Sequence, residues 1–231
     1  MMKKLLSFIL FAFTAVAGSI QTAEAQTSNY GWNGFYFAYK PSFISWNKHQ
    51  DDYKEIFPAK HSIALGFIAN PKIGSSNATF RMPLDIQYTF GNFDDEGYKT
   101  SIDIVSMNLS LGVGYAFEFG NAAIQPHIGL NGRLNFWGQL KRDFDDRDFI
   151  DQKFLLFNKD EPSEYADADD PIPMGKEAWK RFQIGLNAGI DFKFGGCLIG
   201  ASYVVDFNKL IDNKEYSGRF SYISLHLGIV F

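Results

Sequence analysis

The sequence predicts an all-β protein: an eight-stranded antiparallel up-and-down transmembrane β-barrel with long extracellular loops. Three observations carry this. Apolar and polar residues alternate along eight stretches, most of them longer than the ~5–6 residues usual in soluble strands and matched to the ~9–11 that cross a bilayer at a tilt. The connections between them alternate short and long, as in barrels with tight turns on one side and exposed loops on the other. The chain then reaches "SYISLHLGIVF", in which Ile223, Leu225, Leu227, Ile229 and Phe231 share one face of an extended strand. An apolar edge of that kind invites aggregation unless it pairs with the first strand and closes the sheet.

Composition agrees. Aromatics make up 17% of the 231 residues, with 24 Phe and 11 Tyr, yet mean hydropathy is only −0.15. Alternating lipid-facing and lumen-facing residues average out in this way. No run of apolar residues is long enough for a transmembrane helix. The formal net charge is −4 and forms no basic stripe, which excludes a nucleic-acid partner. A single cysteine, Cys197, excludes an intramolecular disulfide.

Residues 1–25 read as a cleaved signal peptide. Lys3 and Lys4 precede an apolar run from Leu5 to Val16, and Ala23-Glu24-Ala25 offers a cleavage site before Gln26. Residues 26–231 are expected to form one barrel domain. Strand one runs from Gly34 to Ile44, with Phe35, Phe37, Tyr39 and Phe43 outward and Pro41 among them. Strand two, His61 to Ala69, points Ile63, Leu65 and Phe67 outward. Strand three, Thr79 to Phe90, sets Phe80, Met82, Leu84, Ile86, Tyr88 and Phe90 against Arg81, Pro83, Asp85, Gln87 and Thr89.

Strand four carries Met107, Leu109, Leu111, Val113, Tyr115, Phe117 and Phe119 on one face. Ile102 and Ile104 have the opposite parity, which predicts a bulge near Val105. Strand five runs from Ala122 to Gly138, strand six from Arg181 to Phe194, strand seven from Cys197 to Asn208, and strand eight is the terminal stretch. Short links fall at 70–78, 120–121 and 195–196; longer ones fall at 45–60, 91–101, 139–180 and 209–218. Aromatics at the strand ends, Trp32, Trp46 and Trp179 among them, are expected to form girdles at the two bilayer interfaces.

The runs "MNLSLGVGYAFEFG" (Met107 to Gly120) and "IGLNAGIDFKFG" (Ile184 to Gly195), the Ala23-Glu24-Ala25 signal ending and Phe231 resemble the small eight-stranded outer-membrane barrel proteins. The likeness is greatest to the outer membrane protein beta-barrel domain (PorT-like) group and extends over the whole mature chain. It implies the outer membrane of a Gram-negative bacterium, with surrounding lipid and lipopolysaccharide as partners. It also implies that Leu227, Ile229 and Phe231 are an assembly signal read by the outer-membrane assembly machinery.

An interior of eight strands has room for side chains or one small ligand, not a wide pore. The inward candidates are Lys40, Arg81, Asp85, Asp103, Glu118, His127, Arg133, Asp191, Lys193, Asp206 and His226. Opposite charges among them are expected to pair, since an isolated buried charge costs several kcal/mol. The loop from Gln139 to Lys180 holds 12 acidic and 7 basic residues. Asp143, Asp145, Asp146 and Asp148 are weak Ca²⁺ candidates within it, hard oxygen ligands without the bend glycine or closing Glu of known loops. The stretch Phe149 to Asn158 reads as a short strand or a cap.

No nucleophile, zinc or disulfide-exchange motif is present, and neither an enzyme nor a cofactor is expected. The function that follows is a non-enzymatic outer-membrane barrel anchoring surface loops for envelope integrity or for binding a cation or an unknown surface partner. One alternative is an outer-membrane enzyme acting on lipid or peptide, for which His49 with Asp51 or Asp52 is the visible start. The other is a soluble periplasmic lipocalin-like barrel, whose face polarity would be reversed.

Overall fold

The computed structural model describes residues 31–46, 61–95, 98–144, 152–157, 179–212 and 217–231; residues 1–25, expected as a signal peptide, and Asp145, Asp146 and Asp148 lie outside them. The chain divides into Met1–Gly31 and Trp32–Phe231, and the second unit is the barrel. Its strands are β1 (Trp32–Tyr39), β2 (Ser42–Trp46), β3 (His61–Asn70), β4 (Ala78–Asp95), β5 (Tyr98–Tyr115), β6 (Phe117–Phe119), β7 (Ala122–Phe144), β8 (Gln152–Leu155), β9 (Phe182–Phe194), β10 (Cys197–Asp206), β11 (Ile211–Asp212) and β12 (Ser217–Val230).

They build eight staves: β1 continued by β2, then β3, β4, β5 continued by β6, β7, β9, β10 and β12. All neighbouring pairs are antiparallel, and β12 pairs back onto β1 from Gly34↔Val230 to Tyr39↔Leu225. Phe231 and Asn33 exchange backbone hydrogen bonds of 2.9 and 3.2 Å, so the sheet closes. Along most of each stave inward and outward residues alternate. Along β3 the alternation of exposed and buried residues is unbroken from His61 to Asn70, apart from half-burial of Phe67 and Ala69.

The turns at one end are tight for local reasons. Gly120 and Gly195 adopt φ of 61° and 55°, a left-handed conformation that costs other residues a Cβ clash. The register shift between β5 and β7 falls between Val105 and Ser106, but the extra residue is Phe136 on β7, since Val105 pairs with Trp137 and Ser106 with Asn135. β5 itself keeps its parity, so Ile102 and Ile104 are buried on the same face as Ser106 and Asn108, against the change of face expected at Val105.

Four departures from the expected boundaries have physical causes. The first stave is broken. Pro41 has no N–H to give, and beyond Lys40 the chain leaves β3, so that β2 pairs with β12 alone. The 91–101 connection, expected as a loop from its Gly, Asn and Asp content, is a continued hairpin. β4 and β5 pair as far as Asp95↔Tyr98, because cross-strand pairing overrides residue propensity. β7 likewise continues to Phe144, pairing with Tyr98, and β8 adds a further strand along its edge. β10 stops at Asp206, where the Asn208 side chain takes over the ladder. Its Oδ1 accepts from Ile184 N at 2.7 Å and its Nδ2 donates to Phe182 O at 2.7 Å.

The tall staves β4, β5 and β7 therefore rise above the others at the long-loop end. An apolar core seals the mouth beside them: Trp46, Ile102, Ile104, Leu140, Leu156, Phe157, Trp179, Leu210, Ile211 and Phe220. Trp46 and Trp179 belong to this core and not to a membrane girdle, and Trp32 is buried at the opposite end. Leu156 N bonds to Gly138 O at 3.0 Å, and Arg181 holds Phe157 O at 2.6 Å. Leu140 is fully buried. Leu140→Ala is expected to lower unfolding free energy by about 2–5 kcal/mol, read from the urea midpoint of the refolded protein.

Candidate functional site

The site is the lumen beneath that seal. Every stave contributes residues of inward parity, and the pleat aims them at one another. Three cations, Lys40, Arg81 and Arg133, meet three carboxylates, Asp85, Asp191 and Asp206, all buried. Lys40 Nζ lies 2.7 and 2.8 Å from the two Asp85 oxygens. Asp85 also accepts from Tyr36 Oη at 2.7 Å and Asn108 Nδ2 at 2.7 Å. Arg81 Nε donates to Asp191 Oδ2 at 2.7 Å. Arg133 Nη2 pairs with Asp206 Oδ2, and its guanidinium lies 3.9 Å from the Phe220 ring centroid.

None of these pairs joins adjacent staves. Lys40 follows β1 and Asp85 is on β4; Arg81 is on β4 and Asp191 on β9; Arg133 is on β7 and Asp206 on β10. Neutral bonds do the same. Asn70 of β3 and Gln125 of β7 exchange amide hydrogen bonds at 2.7 and 2.8 Å, and Asn187 of β9 donates to Ser110 of β5 at 3.3 Å. The lumen is tied across its width by side chains as well as around its wall by the backbone. The pocket left among Tyr36, Lys40, Arg81, Asp85, Asn131 and Asn187 has a volume of about 20 Å³, room for about one water molecule.

His226 Nε2 lies 2.8 Å from Asp191 Oδ1, and His127 Nε2 lies 3.6 Å from the same oxygen. Gly200 makes this approach feasible: a Cβ there would fall 2.2 Å from His226 Nε2 and 2.4 Å from Asp191 Oδ1.

Three of the inward candidates are placed elsewhere. Glu118 is exposed and bridges at 2.7 Å to Lys72 at the short-turn rim. β6 ends there, past the buried Ala116. Lys193 is half-buried near the Gly195–Gly196 turn and joins none of the three ion pairs. Asp103 faces outward and accepts a hydrogen bond from the exposed Tyr88 hydroxyl, because β5 keeps one parity through Val105 and sets its odd-numbered residues outside. Asp143 is exposed on β7. His49, Asp51 and Asp52 lie outside the described residues, and His61 is on the outer face, bonded to Tyr39 Oη at 2.6 Å.

The row expected as an assembly signal faces outward: Leu227, Ile229 and Phe231 are 60%, 68% and 53% exposed. The reading by charge missed the amides and Tyr36, which carry much of the network. Parity alone would have found them, since Tyr36, Gln87, Asn108 and Gln125 all oppose outward apolar residues.

No family model matches the chain, and no curated protein matches it in sequence. The PorT-like likeness therefore rests on the quoted runs alone. Solved structures similar to it include Ail, the attachment invasion locus protein of Yersinia pestis, at 11% identity and a TM-score of 0.47 over 87% of this chain and 99% of that one. Neisserial surface protein A is 11% identical, with a TM-score of 0.42 over 84% of this chain and 96% of that one. The N-terminal β-barrel domain of Pseudomonas aeruginosa OprF is 10% identical, with a TM-score of 0.31 over 87% and 99%.

Proposed function

We propose that this chain is a non-enzymatic outer-membrane protein whose barrel is a closed anchor for the raised sheet of β4, β5, β7 and β8. One observation supports this above the others: the polarity of the wall is inverted. Charges and amides are buried within, while Leu65, Leu111, Ile128, Leu130, Ile199 and Leu225 stand half or more exposed outside, or close to it. A water-soluble barrel would lose free energy on both faces; a lipid-embedded one gains on both. On β5 the outward row from Val105 to Tyr115, at ~3.4 Å per residue and a tilt of ~40°, rises roughly 25 Å, the height of an apolar membrane band. The lipocalin-like alternative needs an apolar interior, which the buried ion pairs oppose.

In this reading residues 1–25 direct export, and Leu227, Ile229 and Phe231 are the row offered to the assembly machinery. The acidic connection 139–180, with Asp143, Asp145, Asp146 and Asp148, then lies at the cell surface for a cation, lipopolysaccharide or a surface partner. The test is Leu111→Arg. In lipid vesicles it is expected to lower folding free energy by about 2–4 kcal/mol, the penalty of a cation near the bilayer midplane. Folding unchanged by that charge would mean that the outer face does not meet lipid.

A further inference from the structure

We propose that Arg81, Asp191, His127 and His226 form an acid-responsive latch, in which protonation of the two imidazoles loosens the Arg81–Asp191 tie between β4 and β9. The inference deepens the closed-barrel reading by giving the closure a condition.

The geometry is one carboxylate shared by three nitrogenous side chains. Asp191 Oδ2 takes Arg81 Nε at 2.7 Å. Its Oδ1 faces Arg81 Nη2 at 3.3 Å, His226 Nε2 at 2.8 Å and His127 Nε2 at 3.6 Å. With both imidazoles neutral, the three buried cations and three buried carboxylates balance. Imidazole is the side chain whose charge ordinarily changes between about pH 5 and 8. One added proton on His226 is shared with Asp191; a second places two imidazolium groups and a guanidinium around a single carboxylate.

Among the described residues no other facing group takes up the surplus. From β1, Tyr36 lies against the His226 ring at 5.6 Å between centroids, and its hydroxyl is given to Asp85. Asp85 on β4 is held by Lys40, and Asp206 on β10 by Arg133. Lys193, half-buried farther along β9, adds positive charge. The strand positions beside the histidines carry no charge: Gly200 on β10 and Ala38 on β1 opposite His226, Gly114 on β5 and Gly189 on β9 opposite His127.

Repulsion between such charges is weakly screened away from bulk water. With both imidazoles charged, two imidazolium groups and Arg81 crowd one carboxylate inside the wall, and the tie between β4 and β9 weakens.

The test uses the mature chain refolded in vesicles, with unfolding in SDS followed by gel mobility. His127→Gln with His226→Gln keeps side-chain donors near Asp191 and removes the titration. Wild type is expected to unfold ~10-fold faster at about pH 5.5 than at about pH 7.5, and the double variant to change less than ~2-fold. Equal acceleration in both proteins would overturn the latch. If the double variant does not fold, the single variants decide: a smaller acid effect in either supports the latch, and the full wild-type effect in both overturns it. Wild type that folds into vesicles and resists SDS equally at both pH values also overturns the latch while leaving the closed anchor intact.

Discussion

Asp85→Ala is expected to leave little or no folded barrel. Asp85 binds Lys40 through both oxygens and accepts from Tyr36 and Asn108. Removing it strands an ammonium group that is only 2% exposed. Breaking a buried pair by deleting one partner costs about 3–5 kcal/mol, a large share of the 5–15 kcal/mol typical of a whole domain. The folded band on unboiled gels and the urea midpoint both report the loss. The double change Lys40→Met with Asp85→Leu removes both charges together, and replacing a buried pair with apolar groups is often close to neutral. It should recover most of the stability. A single variant as stable as wild type would mean that Lys40 reaches water or another carboxylate.

Gly200→Val ranks next. Its Cβ would stand 2.2 Å from His226 Nε2 and 2.4 Å from Asp191 Oδ1, distances that force movement. Both atoms belong to held side chains: Asp191 is fixed by Arg81 and His226 packs on Tyr36. Relief requires breaking the His226–Asp191 contact or bending β10 against β12. Overpacking of this kind costs about 1–3 kcal/mol, and the lost charge-assisted bond adds about 1.5–3 kcal/mol. Gly196→Ala is the control, since its nearest atom, Val230 O, would lie 3.5 Å from the new Cβ. It is expected to refold like wild type, while Gly200→Val lowers refolding yield and urea midpoint together.

The barrel was legible because a β-strand writes its two environments in alternate letters. Phe80 to Phe90 and Met107 to Phe119 carry that code without interruption, and the structure places those outward rows on the outside. The reading failed where something other than alternation decides. The 91–101 stretch looks like a loop because it is polar, but an extended sheet in water has no need of an apolar face. Trp46 and Trp179 look like girdle residues by type and position. Their burial depends on Leu156, Phe157 and Leu210 folding over the mouth, contacts that no local pattern encodes. Glu118 and Asp103 were misplaced for opposite reasons. Glu118 sits past the break at Ala116, where parity lapses, whereas Asp103 follows the unbroken parity of β5, whose Ile102 and Ile104 face the apolar seal and not the outside. The ion pairs were legible as a set of charges on inward faces, but which cation meets which carboxylate depends on the stagger of the barrel, set by many registers together.

The unequal height of the wall gives the molecule a heading. A protein free to spin about the membrane normal usually offers neighbours the same profile from every side. Among the described residues β4, β5 and β7 extend farthest, so one azimuth carries a hydrogen-bonded blade. If the barrel sits in a membrane as proposed, encounters in that plane depend on rotation as well as distance. A neighbour that fits the blade captures the barrel in one orientation, and an array of such contacts would have a direction.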